Sequence, residues 1–170
     1  MLGQIRSAIS GGTQWTTAQI NDTGFILGWL LNNSTDFFQV TIQVPHTRKL
    51  GSVLDSIHVH FVLESAGTLN ETIVWTPSYT WVKVGDSIPA NASWTSLGTV
   101  TQTLATTAAY YYGLFSFGTN IAPPASEGYG GMILFKVTRG NGTHTGRIGI
   151  LDCDAHSLMD RMGSLNESTD

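Results

Sequence analysis

Residues 36–63 read DFFQVTIQVPHTRKLGSVLDSIHVHFVL, two alternating segments joined by a basic, glycine-containing connection. In the first, Phe38, Val40, Ile42 and Val44 share one parity, and Gln39, Thr41 and Gln43 take the other. In the second, Ile57, Val59, Phe61 and Leu63 alternate with His58, His60 and Val62. A period of two marks a half-buried strand, because successive side chains point to opposite faces of a sheet. Three of the five histidines, His46, His58 and His60, fall inside this stretch, so any chemistry is to be sought here first.

Outward from it the same character recurs. Gly24 to Leu31 is a short apolar strand or buried connector, closed by Asn32-Asn33-Ser34. Glu71 to Val84 resumes strand character, with Trp75, Pro77, Tyr79 and Trp81 on one parity. Pro77 predicts an edge or bulge, since proline cannot donate to a ladder. Thr95 to Ala108 reads as a strand pair or a strand plus loop, and Tyr110 to Phe117 is aromatic and β-prone. Met132 to Thr138 is a strand, and Asn141-Gly142 predicts a hairpin to a partner running from Arg147 to about His156. No amphipathic helix is evident. About eight short strands punctuated by turns predict an all-β antiparallel sandwich or jelly roll. The expected organisation is an N-terminal arm or flexible segment (1–24), one β-sandwich domain (25–160) and a polar C-terminal tail (161–170).

Composition narrows function by exclusion. At 170 residues with 41% apolar and 12% charged residues, the chain can bury a two-layer core, and its polar surface is hydroxyl-rich rather than ionic. A net charge of −4, with Arg48-Lys49 the only basic cluster, argues against nucleic-acid binding by charge. The single cysteine, Cys153, excludes an internal disulfide and reads as a small buried filler. The start lacks a secretory signal's apolar core, and Gly24 to Leu31 is too short to span a bilayer, so no membrane partner is expected. The six N-x-S/T sequons therefore read as turn composition. No G-x-S-x-G elbow, phosphate loop or dinucleotide fingerprint occurs, and the expectation is a non-enzyme without a required cofactor.

A set of motifs runs in order along the chain: Pro45-His46, Lys49-Leu50-Gly51-Ser52 and Ile57-His58-Val59-His60-Phe61, then Trp75, Tyr79 and Trp81, and Gly85-Asp86-Ser87-Ile88-Pro89-Ala90. Asp154-Ala155-His156, Asp160, Gly163-Ser164 and Glu167 follow. In this order they resemble a family of tailed-bacteriophage virion proteins, and the resemblance covers roughly 36–167. It departs at Phe61, where such proteins often carry Trp. The resemblance implies a virion component assembled in the host cytoplasm. Our expectation is a capsid decoration (cement) protein, a homotrimer contacting the major capsid protein or other virion proteins. The alternative is a receptor- or glycan-binding module of a tail or head fibre.

Several side chains carry these expectations. His58 and His60 lie about 7 Å apart on one strand face. Asp152, Asp154 and His156 share a parity on the last strand. If the faces meet, His58, His60, Asp154 and His156 form either a hydrogen-bonded polar stripe or a divalent-metal site, with zinc or nickel the matching ions. The aromatic residues Trp15, Tyr79, Trp81, Tyr110, Tyr111 and Tyr112 are expected at an interface between copies. Under the glycan alternative, Trp94, beside Ala92 and Ser93, is the ligand-facing candidate.

Overall fold

A computed structural model describes residues 16–21, 24–43, 53–82, 93–122 and 131–157. The strands are β1 (Thr16–Asn21), β2 (Gly24–Leu31), β3 (Phe37–Gln43), β4 (Leu54–Leu63), β5 (Thr72–Val82), β6 (Thr95–Ser96), β7 (Val100–Thr103), β8 (Tyr112–Ile121), β9 (Met132–Gly140) and β10 (Ile148–Ser157). They build two antiparallel sheets, β1-β2-β10-β4-β8 and β3-β9-β5-β6, with β7 also on β5. From β2 onward every connection passes from one sheet to the other, except those joining β5, β6 and β7. Two four-stranded sheets interleaved in this way, β2-β10-β4-β8 against β3-β9-β5-β7, are the strand order of a jelly roll. Among the described residues no helix is long and apolar enough to cross a membrane.

The deciding stretch spans both layers. Phe38, Val40 and Ile42 of β3 and Ile57, Val59, Phe61 and Leu63 of β4 are all buried, and they join one core from opposite sheets. Trp75 lies at the centre of this core, with ring centroids 5.9 Å from both Phe61 and Phe115. Phe117 continues the aromatic chain to Phe135 across the sandwich at 5.7 Å. Pro77 sits where it does no damage. Its carbonyl accepts from Leu97 N at 3.0 Å, so its missing donor faces the gap between β6 and β7 rather than β9.

Two expectations need correction. Asn141-Gly142 does not close a hairpin, because β9 pairs with β3 and β5 while β10 pairs with β2 and β4. The connection between them instead crosses the sandwich, and Gly142 is needed for close approach. A Cβ there would lie 2.9 Å from the Thr72 carbonyl carbon and 3.2 Å from Ile73 Cα. Arg139, only 4% exposed, secures the crossing. Its guanidinium donates to Leu31 O at 2.8 Å and His144 O at 2.6 Å, tying β9 to the end of β2. The second correction concerns residues 1–24. Thr16–Asn21 is a strand on the edge of the first sheet, paired with β2. Residues 1–15, with Trp15, and 158–170, with the whole of the expected tail, lie outside the described residues.

Candidate binding face

The outward face of the first sheet collects most of the singled-out residues. In β4 the inward residues are apolar, so His58 and His60 point out, half-buried. Their partners on β10 are Asp154, opposite His58, and Asp152, opposite His60. On the other side, β8 places Ser116 opposite His58, Leu114 opposite His60 and Tyr112 opposite Val62.

Asp154 and His156 reach this face only because β10 is irregular. Ile148 and Ile150 are buried at even positions, whereas Cys153 is buried at an odd one. Between them the register shifts, Ile150 facing Phe61 and Asp152 facing His60, which leaves Leu151 as an extra residue. Such a bulge turns the following side chains over. Without it Asp152, Asp154 and His156 would point into the core. Leu151 packs outside with Leu30 and Val62 in a small second cluster.

Three imidazoles surround the Asp154 carboxylate. His60 Nε2 donates to Oδ1 at 3.0 Å, His156 Nε2 donates to Oδ2 at 2.8 Å, and His58 Nδ1 lies 3.7 Å from Oδ2. With its proton on Nε2, His60 accepts at Nδ1 from the Tyr112 hydroxyl, and the two rings stack at 5.8 Å between centroids. Ser56 Oγ accepts from His58 Nε2 at 3.3 Å, and the His58 and His156 rings lie 4.4 Å apart. Partial burial opposes ionisation of Asp154, but hydrogen bonds from His60 and His156 and the nearby His58 and His156 charges outweigh it. The carboxyl is held below its usual range. Behind it, Cys153 is fully buried, and burial first, then the Asp154 and Asp152 charges, push its thiol far up.

The aromatic residues divide. Tyr79 and Trp81 pack, partly buried, against the core. Tyr110, Tyr111 and Tyr112 are 48%, 38% and 55% exposed, and Leu114 joins them at 48%. Tyr112 and Leu114 form an outward strip at the start of edge strand β8, and Tyr110 and Tyr111 are exposed just before it. Tyr110 holds φ at 59°, a left-handed conformation rarely adopted by a bulky residue. It is fixed by pairing with the end of β4: Tyr110 N donates to Leu63 O at 2.8 Å, and Leu63 N to Tyr111 O at 2.9 Å. The strip is also tied to the core. Trp75 Nε1 donates to Gln102 Oε1, and Gln102 Nε2 to Leu114 O, each at 3.3 Å. Trp94 is elsewhere: it is half-buried, and Lys136 Nζ stands 4.6 Å over its ring. One face of the Trp94 ring is therefore covered by the ammonium.

The sequence reading missed Leu114, Ser56 and the Tyr112–His60 bond. Only the bulge left a readable signal, the change of apolar parity from Ile148 and Ile150 to Cys153 and Ala155.

No protein-family model matches the sequence, and no curated protein matches it. Among solved structures, TmCBM61 in complex with β-1,4-galactotriose is similar with a TM-score of 0.34 and 10% identity, covering 81% of this chain and 74% of that one. A structure described as CBM4 structure and function is similar with a TM-score of 0.36 and 10% identity, covering 86% of this chain and 90% of that one. Many unrelated functions share β-sandwich architecture, so the site must carry the functional argument.

Proposed function

We propose that the chain is a non-catalytic glycan-binding module of a virion surface, such as a tail or head fibre. The observation that carries this is the outward face of β4, β8 and β10, where exposed Tyr112 and Leu114, preceded by exposed Tyr110 and Tyr111, adjoin an array of imidazole and carboxylate groups. Aromatic faces cover the C–H surface of a sugar ring, while carboxylate and imidazole groups exchange hydrogen bonds with its hydroxyls. The strip is held rigid by the ladder to β4 and by Gln102, which limits the ordering cost of binding. The virion setting rests on the sequence resemblance.

The test is a glycan array followed by calorimetry on the best ligand. Tyr112→Ala should weaken binding about five- to tenfold, since an aromatic contact contributes roughly 1 kcal/mol. Trp94→Ala should leave it unchanged. A ligand whose affinity is indifferent to Tyr112 would refute this face as the site.

The same strip supports a second reading, a capsid decoration protein. Four exposed apolar side chains on an ordered sheet edge also suit contact between copies in a homotrimer or with the major capsid protein. A glycan-silent protein that sediments as a trimer and co-pellets with phage heads would favour that reading.

A further inference from the structure

We infer that His58, Asp154 and His156 form a surface binding site for one late first-row divalent cation, zinc or nickel in character. Each residue offers one ligand atom, and the three atoms lie within 4.8 Å of one another. Around a tetrahedral zinc with bonds near 2.0–2.1 Å, ligand atoms stand about 3.4 Å apart, so the triad has to contract by roughly 1.4 Å at its widest. His156 can supply that motion. Its side chain is 56% exposed, one residue before the end of β10. Metal entry would exchange its 2.8 Å hydrogen bond to Asp154 for a shared ion.

The surroundings are those of a supported site. His60 lies outside the triad but donates to the other carboxylate oxygen at 3.0 Å, and is itself fixed by Tyr112. A ligating carboxylate oriented by a second hydrogen bond is the usual arrangement around protein-bound metals. Ser56 similarly engages His58 Nε2, leaving Nδ1 on the Asp154 side. Two imidazoles and one carboxylate select zinc, nickel or copper over magnesium or calcium, which favour all-oxygen shells. Among the described residues three protein ligands are present, and His156 on this face is exposed. A fourth position is therefore left for water or for a donor from a bound partner.

The inference does not rest on the carbohydrate reading and is tested without a glycan. The full chain, stripped with chelator, is titrated calorimetrically with zinc, nickel, magnesium and calcium chlorides. The expected result is one equivalent of zinc or nickel per chain, with no magnesium or calcium binding at the same concentrations. A hundredfold excess over Kd should raise Tm by about 5–10 °C. His156→Ala, at an exposed position that leaves folding intact, should weaken zinc at least tenfold. His60→Gln should weaken it by a smaller factor, as an orienting group. Absence of stoichiometric zinc and nickel binding would overturn the site, as would zinc affinity unchanged from the wild type in His156→Ala and Asp154→Asn. Glycan binding that persists in a metal-free protein would leave the proposed function standing while the metal titration decided this site alone.

Discussion

Gly113→Ala tests how the binding strip is held. Gly113 lies in β8 between Tyr112 and Leu114, directly opposite Phe61 of β4. It points inward, and the Phe61 ring covers it so closely that an added Cβ would stand 2.7 and 2.8 Å from the two Cε atoms. Phe61 is completely buried and backed by Trp75 at 5.9 Å, so the ring has little room to retreat. Strand β8 has to move instead. Overpacking of this kind costs about 1–3 kcal/mol, which lowers Tm by about 3–9 °C at roughly 3 °C per kcal/mol. The assay is a double-mutant cycle in urea with Phe61→Leu, which removes the crowded ring atoms. Phe61→Leu alone should destabilise by leaving a void, but Gly113→Ala should cost at least ~1 kcal/mol less in that background. Additivity within about 0.5 kcal/mol would refute the steric argument.

Arg139→Lys should lower the urea midpoint by the equivalent of roughly 2–3 kcal/mol with an unchanged slope, because one ammonium cannot serve both Leu31 O and His144 O. A midpoint shift worth under about 0.5 kcal/mol would count against that staple. Glu71 accepts from His144 Nδ1 at 2.8 Å, and this bond above all holds its carboxyl below the ordinary 4.5. Its contribution to stability is therefore complete above that unfolded value and is lost as pH falls through the lowered folded one. Glu71→Gln should flatten the acid limb of a Tm-versus-pH curve, and an identical limb in both proteins would contradict this. Buried Cys153 should resist thiol reagents in the native state and react only at the rate of unfolding. Rapid native labelling would show that β10 opens locally.

The alternation in β3, β4 and β9 made the sandwich legible, because burial alternates with a period of two along β3 and β9 and over Ser56 to Phe61 of β4. The convergence of His58 with Asp154 was legible as parity, although the parity worked only through a bulge at Leu151. Turn chemistry misled at Asn141-Gly142. A glycine needed for close approach to Thr72 looks the same in sequence as one needed for a tight hairpin. The tyrosine run could not be divided either. Nothing local distinguishes exposed Tyr112 from buried Phe115 until β8 is placed at an edge with Gly113 under Phe61.

The interleaved strand order has a consequence for biosynthesis. Both β2 and β4 take β10 as a neighbour, and β10 is the last strand among the described residues. Between the end of β4 at Leu63 and the start of β10 at Ile148 the ribosome adds 85 residues (148 − 63). At about 5–20 residues per second that interval is roughly 4–17 s, during which two central strands wait with open edges. The first sheet is therefore expected to close, and the His58–Asp154–His156 cluster to exist at all, only after β10 has been synthesised. A force-sensing arrest assay should register compaction once β10 has left the exit tunnel. A full signal with β10 still inside would mean that the nascent chain has found some other partner for β4. Until then His58 and His60 keep one side of that waiting strand polar, a safeguard against pairing with a neighbouring nascent chain.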